Sequence, residues 1–261
     1  MKRIPHIPLN ADYALDPSVL DYIKNGEQVV DLDRNGLKLL QKPGGFCFGT
    51  DSVLLAAYAK AWRGERVVDL CCGSGVVPIL MSARYAGACF YGVEIQDEMA
   101  DMAVRNVRMN GLGNRISVVK GDIRGDYGGL VPGYFDVATV NPPYMKVRGP
   151  LEHTERNIAR HELLCGMEDV AAAAAALLKY GGKLFLVHRT ERLTDVLYAL
   201  RERGLEPKTL RFVHPFADKP SKLFLMTAIK GASAGMLTEA PLIFYKEPGI
   251  TSDEIDSIYY K

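Results

Sequence analysis

From about residue 66 onward, short runs of β-branched and apolar residues alternate with longer stretches whose apolar positions recur every three to four residues. This alternation of a buried-strand pattern with a helical period predicts a parallel sheet covered by helices. Arg66–Leu70 (RVVDL) reads as the first buried strand, and Cys71-Cys72-Gly73-Ser74-Gly75 as a turn into a helix over Val76–Arg84. Ala88–Ile95 is the second strand, and Asp97 caps a helix that runs to about Asn110-Gly111. Ile116–Val119 and Phe135–Val140 follow as the third and fourth strands. The Ala-rich stretch Glu168–Tyr180 predicts a helix stopped by Gly181-Gly182, with Lys183–Val187 as the fifth strand and Glu191–Arg203 as the next helix. Leu210–Val213 and Leu223–Ile229, on either side of a Pro215–Pro220 turn, read as a terminal antiparallel hairpin. The first 60 residues lack this rhythm, apart from a small hairpin pattern over Val29–Leu40 around Asn35-Gly36.

The pattern predicts an α/β, Rossmann-like domain with a mostly parallel sheet and helices on both faces. It occupies residues 61–246, with an N-terminal extension (1–60) packed on the core and a C-terminal tail (247–261). Composition narrows the partners. Of 261 residues, 48% are hydrophobic and 24% charged, and 32 basic against 31 acidic side chains leave a net charge of +1. That balance excludes holding nucleic acid or membrane by bulk charge, though not a local basic patch. Cys47, Cys71, Cys72, Cys89 and Cys165 form no CxxC pair, so neither a zinc ribbon nor an iron–sulfur cluster fits, and no metal site is expected. No apolar run reaches the ~18 residues that span a bilayer. Met1-Lys2-Arg3 is followed by Pro5, His6, Pro8, Asn10 and Asp12 rather than a signal-type apolar segment. The expectation is a soluble, reduced, cytoplasmic protein with no membrane partner.

Open α/β sheets bind nucleotides at the glycine-rich turn after the first strand. Here Pro78 stands where a dinucleotide fingerprint places glycine or alanine, three residues after Gly75. The turn suits instead a ligand without a pyrophosphate, lying against bare backbone at Gly73 and Gly75. Glu94 follows Asp69 by 25 residues and closes the second strand, where a carboxylate accepts from both ribose hydroxyls. Asp122 closes the third strand and is placed to accept from an adenine amine. Asp69, Glu94 and Asp122 at three successive strand ends fit an adenosine with a cationic amino-acid tail, which is S-adenosylmethionine. Taken singly, each acid reads more readily as a helix cap or turn residue; it is their conjunction that points to the cofactor. Cys71, Ile95, Ile123 and Asn141 complete the candidate cofactor contacts in this region.

Asn141-Pro142-Pro143-Tyr144 ends the fourth strand, next to the expected cofactor methyl. Methyl transfer to an exocyclic amine needs the nitrogen lone pair withdrawn from conjugation and aimed at the sulfonium carbon. The Asn141 side-chain oxygen and the Pro142 carbonyl can each accept one amine hydrogen, and Tyr144 offers a face on which a planar base or amide stacks. Asn141, Pro142 and Tyr144 are therefore the candidate catalytic residues. A cytosine-C5 methyltransferase would need cysteine where Tyr144 stands, and Ser74 lies too close to its flanking glycines for a nucleophile elbow. His153, His161 and His188 lack metal spacing and read as surface or hydrogen-bonding residues. A loop of roughly twenty residues follows Tyr144, long enough to be a binding loop. Its Lys146, Arg148, Arg156 and Arg160 either face phosphates or, interleaved with Glu152 and Glu155, form a solvated loop.

The chain resembles the bacterial tRNA adenine-N6 methyltransferases that modify the adenosine beside the anticodon of a valine tRNA. Besides DLCCGSG and NPPY, the likeness lies in Phe46–Leu55 (FCFGTDSVLL), Ala159–Glu162 (ARHE), Val187–Leu193 (VHRTERL) and Lys219–Leu223 (KPSKL), and it covers about Val29 to Tyr245. It implies the seven-stranded class I methyltransferase fold, with Phe48–Thr50 closing over the methionine end of the cofactor. It also implies an anticodon stem-loop partner, with Tyr144, Lys146, Arg148 and Arg160 toward the RNA. Cys71 departs from the broader superfamily, which usually has glycine there. Two other readings share the motif: glutamine-N5 methylation of a release factor, whose enzymes carry a helical N-terminal domain, and a non-catalytic adenosine- or RNA-binding module.

Overall fold

A computed structural model of the chain describes residues 17–43, 48–142 and 165–260. A helical turn, α1 (Pro17–Leu20), precedes a hairpin of β1 (Gln28–Asp31) and β2 (Lys38–Gln41). Asn35 and Gly36 both take positive φ, 52° and 68°, the geometry that matches a tight hairpin to strand twist. Helix α2 (Thr50–Tyr58) leads into β3 (Arg66–Leu70), α3 (Val76–Arg84), β4 (Cys89–Glu94), α4 (Asp97–Met109), β5 (Ile116–Lys120) and β6 (Phe135–Val140). Then come α5 (Met167–Leu177), β7 (Leu178–Arg189), α6 (Leu193–Glu202), β8 (Leu205–His214) and β9 (Leu223–Lys230).

Among the described residues the central sheet has nine strands. Seven form the expected core, in the order β5-β4-β3-β6-β7-β9-β8, with β9 antiparallel to both neighbours. The other two, β10 (Leu237–Thr238) and β11 (Leu242–Ile243), are short edge pairings on β8. Alternation along each strand sorts the core into two layers. Val67, Phe90, Val137 and Phe185 join one buried cluster, and Val68, Val93, Ala138 and Leu184 the other. Small side chains at Ala171, Ala173 and Ala174, all fully buried, seat α5 close against the second layer. The chain moves from β3 outward to β5 and returns to β6 on the opposite side of β3, so the crevice at the carboxyl ends of β3 and β6 is the switch point of the sheet.

Three local expectations are corrected. The Ala-rich helix ends at Leu177 rather than at Gly181-Gly182, and Leu178 starts β7 with no loop between. Leu178 is fully buried opposite Phe135, and the register then shifts so that Lys183 faces Val137, while Lys179 hooks the Asp136 carboxylate. Burial of Leu178 outweighs the local helix preference of this stretch. Gln96 rather than Asp97 is the N-cap of α4, and Asp97 with Glu98 fills its first turn, where acids favour the helix dipole. Residues 247–260 are more than a tail. After a β12–β13 hairpin (Tyr245–Glu247 and Ile250–Thr251), α7 (Asp253–Tyr260) buries Ile255 and Tyr259 in the first core layer. Arg34, at the hairpin turn near the other end of the chain, donates to the Ile258 carbonyl. No helix among the described residues is long and apolar enough to cross a membrane.

Candidate active site

The chain leaves β3 through three residues with positive φ: Cys71 at 56°, Gly73 at 54° and Gly75 at 80°. Gly75 is the N-cap of α3, and a Cβ there would stand 3.4 Å from the Ala103 Cβ of α4. Cys71 takes the same left-handed backbone with a side chain, at a cost of about 1 kcal/mol that glycine would avoid. Its thiol hydrogen-bonds with Cys165, just ahead of α5, and that contact together with burial holds it well above the ordinary thiol range. Cys72 is buried, and burial raises its thiol too.

Asp69 and Thr139 face each other in the β3–β6 register, and the threonine hydroxyl donates to the Asp69 carboxylate at 2.6 Å. Burial, reinforced by the nearby charge of Glu94, pushes the Asp69 carboxyl up to about 7 even against that hydrogen bond. Glu94, at the end of β4, is 4% exposed. Its Oε2 accepts the Gly73 N–H and its Oε1 the Gln96 N–H, both at 2.9 Å, so one carboxylate pins the glycine turn to the neighbouring strand. Asp122 follows β5, and Arg124 holds it by Nη2 at 2.6 Å and by its backbone N–H at 2.9 Å. The arginine hydrogen bond keeps Asp122 below the usual carboxylate range. The oxygens expected to meet an adenine amine are therefore already engaged, and a base there must share them with Arg124. Ile95 is half-buried and Ile123 buried beside these strand ends.

Asn141 is the first residue after β6, and its Nδ2 donates to Ser52 Oγ at 2.9 Å. Ser52 is buried in the first turn of α2, between the buried Phe48 and the core of that helix, and Thr50 begins the same turn. Pro142 is buried. The structure thus gathers Phe48, Thr50, Asp69, Cys71, Gly73, Gly75, Glu94, Ile95, Asp122, Ile123, Asn141 and Pro142 around the carboxyl ends of β3 to β6. Tyr144, Lys146, Arg148 and Arg160, like His153 and His161, lie outside the described residues.

Four side chains at this site were not singled out by the sequence. Ser52 sits within the FGTDS segment, which is its only signal. Thr139 is marked only by strand register. Asn106, fully buried on α4, accepts the Leu40 N–H at 2.6 Å and donates to the Ser74 carbonyl at 3.0 Å, tying the N-terminal hairpin to the glycine turn. Arg124 lies two residues past Asp122. His188, at the end of β7, is buried and stacked on Phe224, and its Nδ1 accepts the Arg189 N–H at 2.8 Å. Burial lowers its pKa to about 4, leaving it neutral at physiological pH. No three His, Cys, Asp or Glu side chains among the described residues converge as metal ligands.

The family model of the methyltransferase small domain matches residues 36–202. A relative from Parabacteroides distasonis, named tRNA1(Val) (adenine(37)-N6)-methyltransferase, is 29% identical over 178 residues, 68% of this chain and 74% of its own. One of the same name from Phocaeicola vulgatus is 30% identical over 178 residues, again 68% of this chain and 74% of its own. A solved structure from Agrobacterium tumefaciens, described as a predicted O-methyltransferase, superposes with a TM-score of 0.66 at 27% identity, covering 80% of this chain and 95% of that one.

Proposed function

Because the chain belongs to the methyltransferase small domain family, we propose that it methylates the N6 amine of an adenosine in tRNA, with S-adenosylmethionine as donor. The finer reading takes its acceptor from the relatives' names: adenosine 37, 3′ of the anticodon of a valine tRNA, presented by the anticodon stem-loop in the cytoplasm. The observation that carries this reading is Asn141, held by Ser52 at the end of β6, with Pro142 directly behind it.

The donor set fits the cofactor. Each Glu94 oxygen has one backbone N–H and keeps a second lone pair, enough for two ribose hydroxyls. Asp69, with a pKa near 7, takes up negative charge when a cationic group arrives beside it. The bare backbone at Gly73 and Gly75 admits a close approach. When bound, S-adenosylmethionine supplies an electrophilic methyl on a sulfonium sulfur.

The chain's own residues orient the acceptor. The Asn141 Oδ1 and the Pro142 carbonyl accept the two hydrogens of an amine and draw its lone pair out of conjugation with the ring. Two acceptors suit an NH2 group, whereas a hydroxyl would satisfy only one, so this site favours nitrogen over the oxygen named for the Agrobacterium tumefaciens relative. The proline ring fixes φ and leaves no N–H at this position, so its backbone offers the site only an acceptor. Tyr144, the next aromatic after Pro143, is the residue assigned to stack on the base, and the nitrogen loses its extra proton to water after transfer. Holding the reactants in line supplies most of the acceleration.

The test is transfer of labelled methyl from S-adenosylmethionine to tRNA and, in parallel, to release factors. Label in tRNA is expected; label confined to protein would overturn the acceptor.

A further inference from the structure

The His188–Leu193 and Lys219–Leu223 segments have no role in the methyl transfer proposed above, yet the fold makes them one structure. Strands β7 and β9 stay paired as far as Arg189 opposite Leu223. Beyond that point the Thr190 N–H donates to the Lys222 carbonyl at 3.1 Å, and the hydroxyls of Thr190 and Ser221 bond at 3.0 Å. The far side of the turn is closed as well. His214 Nδ1 donates to the Lys219 carbonyl at 2.7 Å, and the Lys222 N–H to the Val213 carbonyl at 3.3 Å.

This pinned turn holds four cations, Arg189, Arg192, Lys219 and Lys222, against three carboxylates, Glu191, Asp218 and Asp195, the last of which pairs with Arg192 at 2.6 Å. Arg189, Lys219 and Lys222 are all exposed. Lys222 is exposed and has no ion-pair partner among the described residues. Lys219 meets Asp218 at 3.0 Å, with more than half of its side chain in solvent, a contact worth little in water. The platform also faces the right way. Val140 pairs with Leu186, which sets Asn141 level with Val187, and Arg189 stands two residues (~7 Å) farther out at the same end of the sheet.

We infer that this stitched turn is a docking platform for an RNA phosphodiester backbone, with Arg189, Lys219 and Lys222 taking phosphates that flank the nucleotide presented to Asn141. The inference rests on the tRNA reading above. A base offered to a methyltransferase has to leave its stack, and the backbone on either side must then be held. Backbone contacts position an RNA without reading its sequence, which suits cations on a rigid turn.

The test compares the full-length protein with Lys219→Glu/Lys222→Glu, measuring the KM for tRNA across a salt series together with kcat and the Kd for S-adenosylmethionine. The double variant is expected to raise KM at least tenfold, with kcat within about twofold and cofactor Kd unchanged. Its plot of log(kcat/KM) against log[salt] should be shallower by ~1.4, for two lost phosphate contacts to single-stranded RNA. Wild-type tRNA methylation with KM and salt slope untouched by the substitutions would overturn the platform and leave the tRNA reading standing. The same charge dependence on a protein acceptor, with no tRNA methylation by the wild type, would overturn both. Should the double variant lose cofactor binding, Lys222→Gln takes its place, with a KM rise of about threefold expected and an unchanged KM counting against the platform.

Discussion

Asn141 and Ser52, 89 positions apart in the sequence, share a 2.9 Å hydrogen bond in which the asparagine amide donates to the serine hydroxyl. A planar carboxamide held by its nitrogen turns its oxygen the opposite way. The bond therefore sets the orientation of the group assigned to the acceptor amine, and it joins the start of α2 to the end of β6. With Asn141 in the proposed role, Ser52 acts through it, as a positioning residue.

Ser52→Ala should accordingly lower kcat by about tenfold, the scale of one lost orienting hydrogen bond, with the Kd for S-adenosylmethionine within twofold. Ser52→Thr, which restores a hydroxyl, should recover part of the loss. Steady-state kinetics with isothermal titration of the cofactor separates these effects, and an equal loss of both parameters would remove Ser52 from this role.

Asp69 links pH to both stability and binding. Its folded pKa, about 7, lies above the unfolded value of 3.8, so the folded state keeps a proton that the unfolded chain has released. The stability this confers is full below about pH 4 and is lost as pH rises through 7. His188 works in the other sense, costing stability as pH falls from 6.5 toward 4, so the comparison belongs at pH 6.5 to 8.5. There Asp69→Asn should be more stable than wild type in urea titrations, increasingly so toward the alkaline end. The wild type should bind the cofactor more tightly as pH rises through 7, and the same variant should lose that dependence.

Asn106→Ala should cost about 3 kcal/mol of unfolding free energy, because it strands the Leu40 N–H and the Ser74 carbonyl in a fully buried position. Loosening should spread to the glycine turn, so cofactor affinity falls along with stability. Hydrogen exchange at Leu40 and in the 71–75 turn reads the local opening directly.

Alkylation should sort the cysteines by environment. Cys89 is exposed, whereas Cys72 is buried and Cys71 is held up by Cys165 and by burial. At pH 8, iodoacetamide followed by peptide mass spectrometry should find Cys89 modified at least tenfold faster than Cys71 or Cys72.

The strands and helices with uninterrupted local patterns were legible in the sequence: RVVDL, FDVATV and the amphipathic stretch after Asp97 stand where periodicity put them. The junction at Leu177–Leu178 was not, because its helix propensity yields to a tertiary contact with Phe135 that no local window contains. The helix after Asp253 was missed for a similar reason. It is short, and its apolar face is explained only by the core layer it meets. At the site, acids and glycines announce themselves by type and by position after strands. Ser52, Thr139 and Asn106 do not, since a serine, threonine or asparagine gains its meaning from a partner 32 to 89 residues away. Asp122 was recognised as a strand-end acid, but its pairing with Arg124 came from the fold.

The central claim is tested most directly by nucleoside mass spectrometry of tRNA from a strain lacking the enzyme, after incubation with S-adenosylmethionine and either wild-type protein or Asn141→Ala. N6-methyladenosine should appear with the wild type, and the variant should form it at least ~100-fold more slowly while binding the cofactor within about threefold. Cofactor-loaded wild type that leaves tRNA free of N6-methyladenosine, or a variant that methylates at the wild-type rate, would contradict the account.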